Sequence, residues 1–177
     1  MKKMITALVL GASAMTVPVK AHVVLSETEA KPGAYFFTFL RVGHGCDGEA
    51  TESLTVDIPT GIYSAKPQPK AGWDVEIIRE DLPAPVVGPH GKMLTDRVAR
   101  VRWSGGSLPD TMVDQFGLLV KLPMSSGPLY FPTAQSCAHG EKRWTMIPPE
   151  GAAWGSVPTP APVVYLKSDE GSQAPHH

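Results

Sequence analysis

The sequence predicts an all-β fold in which two sheets pack face to face as a β-sandwich. Apolar and polar residues alternate with a period of two in several short segments, as in strands with one buried face. The 18 prolines and 17 glycines are spread between those segments, which is typical of many short strands joined by turns. No helical stripe longer than two turns is visible after residue 21. Each apolar sheet face must therefore be covered by another sheet.

A cleaved signal peptide is predicted at residues 1–21. Residues 1–4 are a short basic start, and residues 5–17 are apolar or small without a charge. Val19 and Ala21 occupy the positions that signal peptidase recognises. The apolar run is too short for a permanent membrane anchor. We therefore expect cleavage after Ala21, a periplasmic or secreted product, and no membrane span in the mature form.

The charge of the chain argues against nucleic acid as a partner. The formal net charge is −1, and cleavage would remove three lysines and make the product more acidic. Lys and Arg do not cluster, so the electrostatic footprint of a nucleic-acid-binding protein is missing. The sequence also lacks a Gly-x-Ser-x-Gly elbow, a phosphate-binding glycine loop and a His-Glu-x-x-His motif. Nothing in it indicates hydrolase chemistry.

The predicted strands lie within residues 22–167, which we expect to form one domain. The clearest alternation is at residues 116–122, and residues 34–42 are rich in aromatic and β-branched side chains. The other predicted strands are residues 54–58, 73–77, 99–103, 129–131, 143–147 and 163–166. Residues 81–95 and 148–162 are rich in Pro and Gly without a period, and are predicted to be loops. Residues 168–177 are polar and are predicted to be a flexible tail.

The cysteine content predicts one disulfide. Cys46 and Cys137 are the two cysteines of the sequence, and in an exported protein an even pair indicates a disulfide. The alternative is a metal site with two thiolate ligands. Neither cysteine has the closely spaced partner that such sites normally have. We therefore predict that Cys46 and Cys137 are bonded to each other.

Cleavage after Ala21 would make His22 the first residue of the mature protein. An N-terminal His offers its α-amine and an imidazole nitrogen as a chelate for Cu(II), which prefers tetragonal N/O sites. The reference pKa of an α-amine is about 7.7–8.0, so a metal can displace its proton near neutral pH. The presence of His22 alone leaves an alternative open, in which it is simply a polar first residue of the mature chain. Signal peptidase tolerates many residues at that position.

A series of short motifs resembles the YcnI-like family of exported copper-binding domains. The motifs are His22-Val23, His44-Gly45-Cys46-Asp47-Gly48, Lys70-Ala71-Gly72-Trp73, Trp103-Ser104-Gly105-Gly106-Ser107-Leu108-Pro109, Phe131-Pro132-Thr133 with Cys137, and Arg143-Trp144-Thr145-Met146-Ile147-Pro148. Each motif is weakly specific, but the ordered series runs through almost the whole mature chain. The resemblance implies an immunoglobulin-like β-sandwich and a Cu(II) site on the N-terminal His. It also implies a carboxylate ligand from an early strand end and a Trp close to the metal.

Residue by residue, the resemblance assigns the chelating His to His22 and the nearby Trp to Trp144. The carboxylate has no clean match, because the strand that ends at residue 42 is followed by GHGCD rather than by a Glu. His44 is the first substitute ligand, Asp47 the second and Glu49 the third. Two alternatives stay open, since a strand Trp such as Trp144 is usually a core residue and His44 can be an ordinary loop residue.

These observations lead to the hypothesis of a Cu(II)-binding protein that acts in copper homeostasis or delivery and is not an enzyme. Its partners would be the copper ion and, as donor or acceptor, other periplasmic copper chaperones or a membrane copper transporter. The dispersed methionines favour Cu(II) over Cu(I). One alternative is a copper-dependent monooxygenase, which also begins with a chelating His but needs a second brace His and a flat aromatic surface. Another is a structural secreted sandwich in which His22 is accidental.

Overall fold

The computed structural model of the protein describes residues 22–168, and these residues form β-strands joined by turns. The predicted signal peptide and residues 169–177 of the predicted tail lie outside the described residues. In chain order the strands of the described part are β1 Val24–Leu25, β2 Glu29–Ala30, β3 Tyr35–Val42, β4 Thr51–Asp57, β5 Ala65–Pro67, β6 Asp74–Val87, β7 Met93–Leu108, β8 Asp114–Lys121, β9 Gly127–Tyr130, β10 Thr133–Cys137, β11 Gly140–Trp144 and β12 Val163–Leu166. Two short 3₁₀ turns, Pro89–Gly91 and Trp154–Ser156, complete it. The prediction of an all-β fold is confirmed.

Two antiparallel sheets form the sandwich. The first has the strand order β1-β3-β8-β5, and the second has the order β11-β10-β4-β7-β6. Leu40 and Phe116 of the first sheet and Val56 and Trp103 of the second are fully buried in one hydrophobic core. A small third sheet, β2-β12-β9, contains the parallel pair β2 and β12. The sequence does not predict this third sheet, because a strand of two residues such as β2 has no recognisable period.

The ladder between β3 and β8 determines which elements meet at each end of the first sheet. The two strands pair along eight residues, from Tyr35 opposite Lys121 to Val42 opposite Asp114. β1 is antiparallel to β3, with Val24 opposite Arg41. The first described residue, His22, therefore lies at the end of β3 where the chain leaves the sheet. The segment with the clearest predicted alternation is β8, in which Phe116, Leu118 and Val120 point into the core.

The prediction of a loop at residues 81–95 is wrong. β6 and β7 continue through these residues as a long antiparallel hairpin with irregular register. β6 is the edge strand of its sheet, where Pro83 and Pro85 are tolerated because an edge strand does not need every N–H for a ladder. The segment lacks a period of two because much of it is exposed, including 70% of Val87.

The predicted disulfide is present. Cys46 and Cys137 are bonded, with their Cα atoms 6.0 Å apart. Cys46 follows β3 of the first sheet, and Cys137 is the last residue of β10 in the second sheet. The bond therefore joins the two sheets at the end of the sandwich where His22 lies. No helix of the described residues is long and apolar enough to cross a membrane.

Replacing both cysteines by serine should lower the free energy of unfolding by about 4–5 kcal/mol, because the bond closes a long loop in the unfolded chain. Its two cysteines are 91 positions apart in sequence. Urea unfolding monitored by tryptophan fluorescence measures the change. Wild-type protein unfolded with a reductant should lose the same amount of stability. An unchanged urea midpoint in the double variant would contradict the cross-link's role.

Candidate metal centre

His22 lies just before β1, and its imidazole contacts two indoles. The ring centroid of His22 is 5.3 Å from that of Trp144 and 5.2 Å from that of Trp154. The interplanar angles are 65° and 63°, so both contacts are edge-on, which is a favourable geometry for aromatic rings. His22 itself is half-buried. The predicted copper-binding His is therefore packed against two aromatic rings.

Trp144 ends β11 and is both a core residue and a neighbour of the histidines. Its side chain is buried and belongs to the hydrophobic core, as expected of a strand Trp. The indole Nε1 donates a hydrogen bond to Oε1 of Gln135 at 3.0 Å. Because this N–H is already used in a buried hydrogen bond, Trp144 meets the histidines through its ring system.

His44 contacts the same indole. Its ring centroid is 6.2 Å from that of Trp144, at an interplanar angle of 74°. Nδ1 of His44 lies 2.5 Å from the carbonyl oxygen of Gly45. A carbonyl oxygen only accepts hydrogen bonds, so Nδ1 is the donor in this contact. The structure thus brings His22, His44 and Trp144 together at one end of the sandwich.

Gln135 of β10 connects the loop of His44 to the ring of Trp144. It is fully buried, and its Nε2 donates to the carbonyl oxygen of His44 and to Oγ1 of Thr51, both at 2.7 Å. Its Oε1 accepts the hydrogen bond from Trp144. No sequence pattern indicated Gln135, because a lone Gln between Thr133 and Cys137 forms no recognisable motif. A buried amide with all its polar atoms paired positions the groups around it firmly.

A tight turn after His44 fixes the start of the loop. Cys46 and Glu49 exchange two backbone hydrogen bonds of 3.1 Å around Asp47 and Gly48. Those two turn residues have φ values of 55° and 92°, and positive φ at both positions is what an Asp-Gly type I′ turn requires. Gly45 has no room for a side chain, since a Cβ atom there would lie 1.6 Å from the carbonyl oxygen of Glu49. The backbone that carries His44 is therefore strongly constrained.

The two acidic candidates have other partners in this structure. Asp47 is exposed, and its Oδ1 accepts a hydrogen bond from Nζ of Lys142 at 2.7 Å. This bond and the charge of Lys142 hold the pKa of Asp47 below its ordinary value. Glu49 accepts hydrogen bonds from the backbone N–H of His139 at 2.6 Å and from its Nδ1 at 2.8 Å. The backbone hydrogen bond is the main reason why the pKa of Glu49 is lowered.

The side chains of the described residues do not by themselves form a complete metal site. Within residues 22–168 no group of three or more His, Cys, Asp and Glu side chains is arranged to hold a metal ion.

An open cleft of about 580 Å³ adjoins His22. Val24 and Arg41 line it from the β1–β3 pair, and Val113 and Asp114 line it where β8 begins. Gly43 also lines it and has no side chain to fill the space. A small solute can therefore approach His22 from this side.

Trp154, which contacts His22, is a second residue near the predicted site that the sequence did not indicate. It lies in residues 148–162, which are predicted to be a loop, and there it begins a short 3₁₀ turn. Its Nε1 donates to the carbonyl oxygen of Ala161 at 2.7 Å. A Trp in a stretch rich in Pro and Gly is a detectable signal, because a ring of that size normally packs against something.

The fold and the cluster define an immunoglobulin-like β-sandwich domain with two histidines and two tryptophans at one end. A crystal structure of an uncharacterized protein from Nocardia farcinica, described as having an immunoglobulin-like fold, is similar to it. The TM-score is 0.62 and the sequence identity 25%, over 83% of this chain and 99% of that chain. Residues 22–166 match the family described as Domain of unknown function (DUF1775), and the chain belongs to that family. YcnI-like proteins carry this domain. No curated protein is significantly similar to the chain.

Substituting Lys142 by Met should raise the pKa of Asp47 toward its ordinary value of 3.8, because the hydrogen bond and the positive charge are both lost. The folded-state pKa of Asp47 is depressed in the wild type. The ion pair of Asp47 and Lys142 therefore contributes to stability above pH 3.8. This contribution is lost as the pH falls through the lowered pKa of Asp47 in the folded protein. Carbon-13 NMR titration of the carboxyl group measures the shift.

Asp96 supplies the internal control for that titration. Its pKa is lowered by Arg79 on a different part of the second sheet. The Lys142 substitution should leave Asp96 unchanged. A parallel shift of both carboxyl groups would indicate a general loss of structure and not the loss of one ion pair.

Proposed function

We propose that the mature protein is a periplasmic or secreted Cu(II)-binding protein that carries copper at a site built on an N-terminal His22. The observation that carries this proposal is the convergence of His22 and His44 on the indole of Trp144. The two histidines are 22 positions apart in the sequence, and their meeting at one ring supports a common ligand. The resemblance to exported copper-binding domains supports copper as that ligand.

The donor chemistry fits Cu(II). After cleavage, the α-amine and Nδ1 of His22 can chelate one metal ion, and Nε2 of His44 would supply a third nitrogen. Three nitrogen donors suit the tetragonal N/O coordination that Cu(II) prefers. Asp47 remains the second substitute for the carboxylate ligand, after His44, and it would have to leave Lys142 to bind the metal. Trp144 would lie beside the cation, where its ring limits access of water and offers a cation–π contact.

Copper is the cargo of the proposed protein and not a catalytic cofactor. The disulfide between Cys46 and Cys137 supports an oxidising compartment, where such bonds persist. Other periplasmic copper chaperones or a membrane copper transporter would then deliver the ion or receive it. The cleft beside His22 offers these partners a route to the site.

Mature protein that begins at His22 should bind Cu(II), and one extra residue before His22 should weaken binding by orders of magnitude. The extension converts the α-amine into a peptide nitrogen and so removes one arm of the chelate. Isothermal titration with Cu(II) in competition with a chelator of known affinity compares the two forms. Equal affinity of the extended and native forms would refute the N-terminal site.

His44→Ala should lower the Cu(II) affinity of the mature protein by at least roughly tenfold, since even removal of an outer-shell partner commonly has that effect. The nitrogen hyperfine pattern in electron paramagnetic resonance should also change. His90→Ala is the matched control, because His90 lies at the tip of the β6–β7 hairpin beside Tyr35, at the far end of β3. Trp144→Phe should affect affinity less than His44→Ala. Equal effects of the His44 and His90 substitutions would remove His44 from the ligand set.

Oxygen consumption separates this proposal from a copper monooxygenase. Copper-loaded protein with a reductant and a polysaccharide should consume oxygen no faster than the same amount of free copper. Protein-dependent uptake with cleavage of the polysaccharide would place the chain among the enzymes.

A further inference from the structure

We infer that Trp154 is a positioning residue that holds the imidazole of His22 in the orientation used for metal binding. Its role toward a metal rests on the proposed copper function, whereas its effect on the ring of His22 does not. The inference starts from the two edge-on contacts of His22, of which the contact with Trp154 is as short as the contact with Trp144.

The strand itself does not fix the side chain of His22. The first register pair between β1 and β3 joins Val24 to Arg41, so His22 lies outside the described ladder. One aromatic neighbour restricts a ring mainly by its bulk, and rotation about χ1 and χ2 can continue. Two neighbours at 5.2 and 5.3 Å restrict both rotations. The pair of indoles, and not the sheet, therefore determines where the imidazole nitrogens lie.

Trp154 is itself held firmly in place. Its Nε1 donates to the carbonyl oxygen of Ala161, and the backbone N–H of Ala161 donates to the carbonyl oxygen of Met146 at 2.8 Å. Met146 is two residues beyond Trp144, and its own N–H donates to Thr159 at 3.0 Å. A short hydrogen-bonded route thus connects the backbone of Trp144 to the ring of Trp154. This route links the positions of the two indoles that contact His22.

A fixed orientation of the His22 imidazole affects how tightly this residue can chelate a metal ion. The α-amine and the imidazole of one residue can share a metal ion only in a limited set of side-chain rotamers, with Nδ1 toward the amine. A ring that rotates freely loses that freedom on binding, and the loss weakens affinity. A ring already held by Trp154 loses less. Trp154 therefore raises metal affinity without donating a ligand atom.

NMR spectra of the mature, metal-free protein test the orientation of His22 directly. In the wild type the ring protons of His22 should be displaced from their random-coil shifts by the two indoles. Trp154→Ala should move them back toward random-coil values, and Trp154→Phe should retain part of the displacement. Trp73→Phe is the matched control, because the ring of Trp73 packs on that of Phe116 and not on that of His22. Wild-type ring shifts in Trp154→Ala would overturn the inference.

Copper titration tests the consequence for affinity. Trp154→Ala should bind Cu(II) roughly 2- to 10-fold more weakly, the range expected for loss of one aromatic contact, and Trp154→Phe should restore most of it. The copper hyperfine splitting should change in Trp154→Ala and not in Trp73→Phe. If Trp154→Ala had the affinity and the spectrum of the wild type, the positioning role would be overturned, but the proposed copper-binding function would not. Absence of copper binding by the wild type would overturn the proposed function and the metal role of Trp154, while the NMR shifts still decide whether Trp154 orients His22.

Discussion

The bond between Cys46 and Cys137 is the constraint on which the end of the sandwich depends. It joins the loop after β3 of the first sheet to the last residue of β10 in the second. Two packed sheets can slide or splay at their ends, where fewer side chains interdigitate. A covalent cross-link at that place holds the two sheet ends together. Because His44 is two residues before Cys46, the cross-link also limits how far His44 can lie from the second sheet.

The cross-link limits where His44 can lie, and hydrogen bonds then fix its position relative to Trp144. Gln135 is two residues before Cys137 and hydrogen-bonds both the backbone of His44 and the indole of Trp144. A buried amide left unpaired would cost about 1–3 kcal/mol, so these contacts are kept together. His22 arrives from β1 and packs on the other side of this arrangement, against Trp144 and Trp154. Covalent, polar and aromatic contacts thus act on the same few residues.

The parts of the fold with a strong local pattern could be predicted from the sequence. Residues 34–42 and 116–122 show alternation or β-branched and aromatic composition, and they correspond to β3 and β8. The prediction of a loop at residues 81–95 was wrong because an exposed edge hairpin shows no alternation, and its prolines are residues that are also typical of loops. The turn at Asp47-Gly48 was a missed local signal, since Asp-Gly is among the clearest markers of a two-residue hairpin.

The sequence by itself determined the all-β class, the pairing of its two cysteines, and His22, His44 and Trp144 as the residues to test. Those properties follow from composition, period and resemblance along the chain. Only the tertiary structure decided that Lys142 and His139 bind the acidic candidates, and that Trp154 packs on His22. The reason is physical, because each of these contacts joins residues from different strands or loops. Such distances depend on how two sheets and a loop pack together, and no local pattern encodes them.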